Sequence, residues 1–136
     1  MKEYKFYRNS KANEHNEIFE LYDELDKIWC RYSCAPRYRE EWNEENKTLG
    51  QCSITSFAVQ DVLGGEVYGV PLKEGGFHCF NVIGDIIFDL TSEQFGSQKF
   101  EYTKDYPQSR EDHFANKEKY ERYLYIKEQL EKCRKR

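Results

Sequence analysis

The stretch GGFHCFNVIGDIIFDL, residues 75–90, decides the fold. At its centre Gly84-Asp85 is a two-residue turn with glycine first, the order that suits a type II′ hairpin. The flanking segments, Phe77 to Ile83 and Ile86 to Leu90, are rich in β-branched and aromatic residues and read as antiparallel strands. With this turn Ile83 faces Ile86, Phe80 faces Asp89 and His78 faces Thr91. Alternation then gathers His78, Phe80, Val82, Ile87, Asp89 and Thr91 on one face of the sheet. His78 and Asp89 become diagonal neighbours, roughly 7–8 Å apart between backbones, a gap that two side chains can close with a hydrogen bond. A slip of one residue would send Asp89 to the opposite face.

Upstream, TLGQCSITSFAVQDVLGG (residues 48–65) reads as a helix followed by a glycine stop. Ile54, Phe57, Ala58, Val62 and Leu63 form one face, and Cys52, Ser53, Thr55, Ser56 and Val59 are small or neutral. A helix with so little charge is buried on most sides. Glu66 to Val70 supplies a further strand. Nearer the start, Ile18, Leu21, Tyr22, Leu25, Ile28 and Trp29 recur at helical spacing, with Asn13 or Asn16 as the expected cap. The first ten residues read as a loose arm or edge strand, and Trp42 as an anchor in an irregular charged connector. Thr91 and Gln94 have capping-box spacing for a short helix. Phe100 and Tyr102 alternate as on another strand, and Asn116 is placed to cap a last helix carrying Tyr120, Tyr123, Leu124 and Leu130.

Composition agrees with one globular domain over residues 1–136. Mean hydropathy is low, at -0.97, yet aromatic residues make up 16% of the chain, which argues against disorder. The net charge of -4 is spread over interspersed signs, so no nucleic-acid partner is expected. No apolar run approaches the ~20 residues of a membrane span, and no secretory leader is legible at the start. The expectation is a cytoplasmic protein whose five cysteines stay reduced.

The chemistry-bearing residues converge on Cys52. It stands at the start of the buried helix, directly after Gly50-Gln51, where free backbone N–H groups and the helix dipole lower a thiol's pKa. The same N–H groups suit a developing oxyanion. His78 is then the expected general base and acid, with Asp89 fixing its tautomer. Gly75 and Gly76 would let substrate backbone approach the histidine, and Gln51 and Asn46 are candidate amide donors to the oxyanion. Against this stand plainer readings: a helix thiol is more often packing, and a strand histidine more often a satisfied core residue.

Other cysteines and histidines carry weaker signals. Cys30 and Cys34 have i,i+4 spacing, but no second pair or clustered histidine completes a zinc set, so no metal and no cofactor are expected. Cys79 alternates away from His78 into the core. His15 and His113 read as solvent residues, and the charged face of the last helix as a solvated one.

WCRYSC, EEWNEENKTLGQCSITSFAVQDVLGG and GGFHCFNVIGDIIFDLTSEQF, taken in order from about residue 28 to 95, resemble the YunG-like family of small, largely bacterial proteins. The arrangement also resembles the papain-like superfold, which includes transglutaminase-like and NlpC/P60-type enzymes. Those place a cysteine at a helix start, a histidine on a following strand and a polar partner on the next, matching Cys52, His78 and Asp89. Papain carries a glutamine where Asn46 stands here. The resemblance implies an α+β fold, an antiparallel sheet packed against helices around a papain-like cysteine-hydrolase-type core. It also implies thiol-dependent hydrolysis or transfer at an amide, isopeptide or thioester bond of a peptide or small acyl substrate. The alternative function is a non-catalytic binding or regulatory module that keeps the fold.

Overall fold

The structure, a computed structural model, describes residues 3–135. Its elements run β1 (Tyr7–Arg8), α1 (Asn16–Ile28), α2 (Cys52–Leu63), β2 (Glu66–Pro71), β3 (Phe77–Ile83), β4 (Ile86–Asp89), α3 (Arg110–Phe114) and α4 (Lys117–Arg134). The strands make an antiparallel sheet in the order β1-β4-β3-β2. The chain is thus of the α+β class, with helices packed on an antiparallel sheet.

The hairpin has the register its turn dictates: Ile83 opposes Ile86, Val82 opposes Ile87, and Asn81 opposes Phe88. Because side chains alternate, the two faces of the sheet serve different cores. Cys79, Ile83, Ile86 and Phe88 face the helices and join Leu21, Leu25, Ile54, Phe57, Val59 and Ile126 in the main cluster. Phe80, Val82 and Val70 face the other way, where Phe100 and Tyr102 pack on them. Burying each large apolar side chain contributes about 1.5–3 kcal/mol, so the main cluster holds the helices on the sheet. α2 lies between the sheet and α4, and its Ile54, Thr55, Ser56, Phe57, Ala58 and Val59 are all buried. Its low charge follows from that double burial.

Several local expectations resolve differently. α1 begins after His15 without any side-chain cap, so neither Asn13 nor Asn16 caps it; Asn13 accepts a hydrogen bond from Arg8 Nε instead (2.9 Å). Phe100 and Tyr102 lie in irregular chain rather than a strand. The outer edge of β2 is paired by the 106–108 segment, through Gly69 N–H to the Tyr106 carbonyl and Gln108 N–H to the Val67 carbonyl (both 2.9 Å). Thr91 precedes a short 3-10 helix, Ser92–Phe95, but makes no capping box, because its hydroxyl is spent on Asp89 (3.3 Å). Asn116 does cap α4, accepting from Lys119 N–H (3.1 Å). Trp42 is buried and donates to the Lys47 carbonyl (3.0 Å), anchoring the connector before α2.

Candidate functional site

α2 delivers Cys52 as its first residue, and the residue before it, Gln51, offers no side-chain cap. The amides of the first turn are therefore open, as a helix N-terminus leaves them. Gly50 sets the approach. Its φ of +71° belongs to the left-handed region that favours glycine. A Cβ there would also sit 2.7 Å from Cys34 Sγ and 2.8 Å from the Ala35 nitrogen. Gly50 N–H donates to Gln94 Oε1 (3.2 Å), and Gln94 Nε2 donates back to the Thr91 carbonyl (3.0 Å). The helix start is thereby tied to the segment following Asp89.

β3 and β4 carry the next two groups. His78 Nε2 donates to Asp89 Oδ2 at 2.6 Å, with both side chains buried. Asp89 is saturated with donors. Its Oδ2 also accepts from the Tyr102 hydroxyl (2.8 Å), and its Oδ1 accepts from Thr91 N–H (3.2 Å) and Oγ1–H (3.3 Å). Burial first, then the Asp89 charge, pushes the Tyr102 phenol up, so it stays a donor. Phe95 meets the imidazole edge-on at 4.7 Å, and Phe100 stacks on it at 5.6 Å. That aromatic slot keeps water away from the His78–Asp89 bond.

Cys52 and His78 line the same cleft. With Nε2 taken by Asp89, Nδ1 is the nitrogen left over. It is buried and has no hydrogen-bond partner among the described residues. The pairing of β3 with β4 runs no nearer to His78 than Asn81, and His78 and Cys79 pair with Val70 and Gly69 of β2. The Cys52 thiol is held well below the ordinary cysteine value. The largest cause is a hydrogen bond from the Cys79 thiol; burial opposes it, and the neighbouring His78 imidazole and the Cys79 backbone N–H add to it. Burial lowers the His78 pKa, but the Asp89 charge and hydrogen bond, helped by Cys52, outweigh it and bring the value to about 10. Together these shifts favour a thiolate–imidazolium pair. Cys79 takes the complementary role: its hydrogen bond to Cys52 and its burial push its own thiol well up.

Cys52 and His78 open into a cleft of about 730 Å³, floored by Gly50, Ser53, Gln94 and Phe95. On its far wall stand residues that the sequence reading left in solvent or did not single out. His113 is half-buried against Phe57, at 5.3 Å between rings. Its Nε2 donates to Gln108 Oε1 (2.8 Å), and its Nδ1 accepts from Lys119 Nζ (3.0 Å). Arg110 holds α3 against the end of α2, through the Phe57 carbonyl (2.9 Å) and Asp61 (2.5 Å). The solvated-face reading of α4 also fails at Arg122, which is buried on Glu118 (2.7 Å) and the Ser33 carbonyl (3.0 Å).

The expected amide donors lie away from the cleft that Cys52 and His78 line. Gln51 is fully buried and its Nε2 donates inward to the Cys30 carbonyl (3.1 Å), so it is turned away from the cleft. Asn46 and Gly75 lie outside the cleft lining, and Gly76 lines only an adjoining depression. Gly75 and Gly76 instead shape the β2–β3 turn, where Gly75 N–H bonds to the Leu72 carbonyl and Leu72 N–H to the Gly76 carbonyl (both 3.0 Å). Cys30 is half-buried beside the Tyr125 hydroxyl (3.8 Å) and Cys34 is buried. Among the described residues no group of three or more His, Cys, Asp or Glu is arranged to hold a metal ion. No helix among them is long and apolar enough to cross a membrane.

Fold and site together define a small α+β protein in which a helix-start cysteine and an aspartate-bonded histidine line one cleft. The YunG protein family model matches residues 17–135. The YunG protein of Bacillus subtilis (strain 168) is 34% identical over 104 residues, covering 76% of this chain and 83% of that protein. The chain belongs to the YunG family. No solved structure matches it.

Proposed function

We propose that the protein is a thiol-dependent acyl hydrolase or transferase acting on an amide, isopeptide or thioester bond, built on a papain-like core. One observation carries the reading: an open cleft presents a helix-start thiol beside an imidazole whose other nitrogen is bonded to a buried, fully satisfied carboxylate. A packing cysteine needs none of that apparatus.

In this reaction the Cys52 thiolate attacks the acyl carbon, and the carbonyl electrons move to oxygen. The open amides at the start of α2 stabilise that oxyanion. His78 Nδ1–H gives its proton to the departing amine or thiol as the carbonyl re-forms, leaving an acyl thioester on Cys52. His78 then takes a proton from water, or from an acceptor amine, which displaces the thiolate and releases acid or transferred product. Asp89 receives the Nε2–H bond throughout and keeps Nδ1 aimed at sulfur.

Acyl transfer from p-nitrophenyl acetate tests this. A burst of nitrophenolate and an acetyl group on Cys52, detected by peptide mass spectrometry, is the expected result. Acetylation that spares Cys52, or that persists in His78→Ala, would favour a binding module that keeps the fold without the chemistry.

A further inference from the structure

The cleft's far wall is cationic, and its cations are presented rather than neutralised. Lys119 Nζ spends one of its three N–H groups on His113 Nδ1 (3.0 Å) and makes no ion pair with a carboxylate of the described residues. Its partner is fixed in turn. Because His113 Nε2–H donates to Gln108 (2.8 Å), Nδ1 is left as an acceptor, and the neutral ring holds the ammonium without cancelling its charge. Arg37, exposed beside Lys119 in the cleft lining, stacks its guanidinium over the Tyr38 ring at 4.8 Å and likewise has no carboxylate partner among the described residues. The acids nearby are otherwise engaged or peripheral. Glu118 is taken by Arg122 (2.7 Å) and Arg39 (3.5 Å). Glu74 lines the cleft from the exposed β2–β3 turn and is paired with neither cation, and Asp105 and Asp112 line the adjoining depression.

A half-buried ammonium with donors left over, facing the cleft, is placed to give charge-assisted hydrogen bonds to an anionic ligand. We propose that Lys119, with Arg37, binds a carboxylate of the acyl substrate, making the Cys52 cleft selective for acidic acyl donors. The inference rests on the thiol acyl reading. Lys119 and Arg37 are the binding groups; His113 and Gln108 are positioning residues that aim the lysine. Burial lowers the Lys119 pKa, while the negative charge of Cys52 raises it. An arriving carboxylate would act in the same sense as that thiolate.

A matched pair of alkylating reagents separates charge recognition from thiol chemistry. Iodoacetate carries the carboxylate and iodoacetamide does not, and Cys133 serves as an internal reference. The iodoacetate-to-iodoacetamide rate ratio at Cys52 should fall by about tenfold in Lys119→Met, and less in Arg37→Ala. The iodoacetamide rate carries whatever Lys119→Met does to the thiolate itself, so the ratio isolates the carboxylate, and Lys119→Arg should restore it. An amide NMR titration of the wild-type protein with succinate, against sodium chloride at matched ionic strength, reads the site without the thiol. Saturable shifts at Lys119 and His113 that vanish in Lys119→Met support it. A titration no different from the chloride control, or a ratio indifferent to Lys119→Met, overturns the anion site even when Cys52 reacts. A Cys52 inert to both reagents refutes the acyl chemistry, and succinate alone then decides the site.

Discussion

Two histidines line one cleft, His78 buried and His113 half-buried, and their neighbours drive them in opposite directions. His78 is bonded to the Asp89 carboxylate and rises from its ordinary value to about 10 despite burial. His113 has the Lys119 ammonium on one nitrogen and Gln108 on the other; burial first, and then the Lys119 charge, lower it. Desolvation alone would lower both. The partner's charge therefore decides the state: Asp89 holds the proton on His78, and Lys119 keeps the His113 imidazole neutral.

The strongest way to break the contrast is to remove the first imidazole. His78→Ala should move the Cys52 thiol up, with the Cys79 hydrogen bond still holding it down, and slow its alkylation at pH 6 by on the order of tenfold. Site-resolved mass spectrometry across a pH series, with Cys133 as internal reference, checks this; equal labelling of the two cysteines, indifferent to the mutation, refutes it. Asp89→Asn acts at one remove. It leaves the thiol in place but takes the charge from His78, so the Cys52 midpoint should move up by less than in His78→Ala. The broken buried pair should cost about 3–5 kcal/mol in urea unfolding. An Asp89→Asn protein as stable as wild type would mean that the His78–Asp89 bond carries little. Tyr102→Phe is milder, since Asp89 keeps its bonds from His78 and Thr91. Loss of one bond to a buried charge predicts about 1.5–3 kcal/mol, with Cys52 reactivity changed only a few-fold.

What could be read in the sequence follows from how local each signal is. The Gly84-Asp85 turn sits between the strands it pairs, so the shared face of His78 and Asp89 could be read from alternation. The start of the Cys52 helix was legible for the same reason, since Gly50 and the run of small residues adjoin it. Phe95 closes the His78 slot from a single 3-10 turn, and Phe100 and Tyr102 from irregular chain whose apparent alternation belongs to no strand. His113 sits on a five-residue helix, too short to show an apolar stripe, and its environment is set by Phe57 and Gln108 on other segments. The inward turn of Gln51 depends on the Cys30 carbonyl, which no spacing reveals. The Thr91–Gln94 capping box fails for a related reason: both residues are recruited by the site, one to Asp89 and the other to Gly50.

The smallest effect belongs to the second histidine. Its folded pKa lies below the unfolded value near 6.5, so over that interval the unfolded chain binds more protons than the folded one. Stability then falls as pH drops below about 6.5. Protonation also turns Nδ1 from acceptor to donor, which breaks the bond that aims Lys119. His113→Gln keeps polarity without titrating, so urea unfolding from pH 7 to pH 5 should show a shallower acid loss than wild type. Ring-proton NMR gives the sharper reading, with the two resonances moving to opposite sides of 6.5: His113 titrating below it and His78 far above. Coincident midpoints for the two rings would mean that Asp89 and Lys119 do not set the contrast.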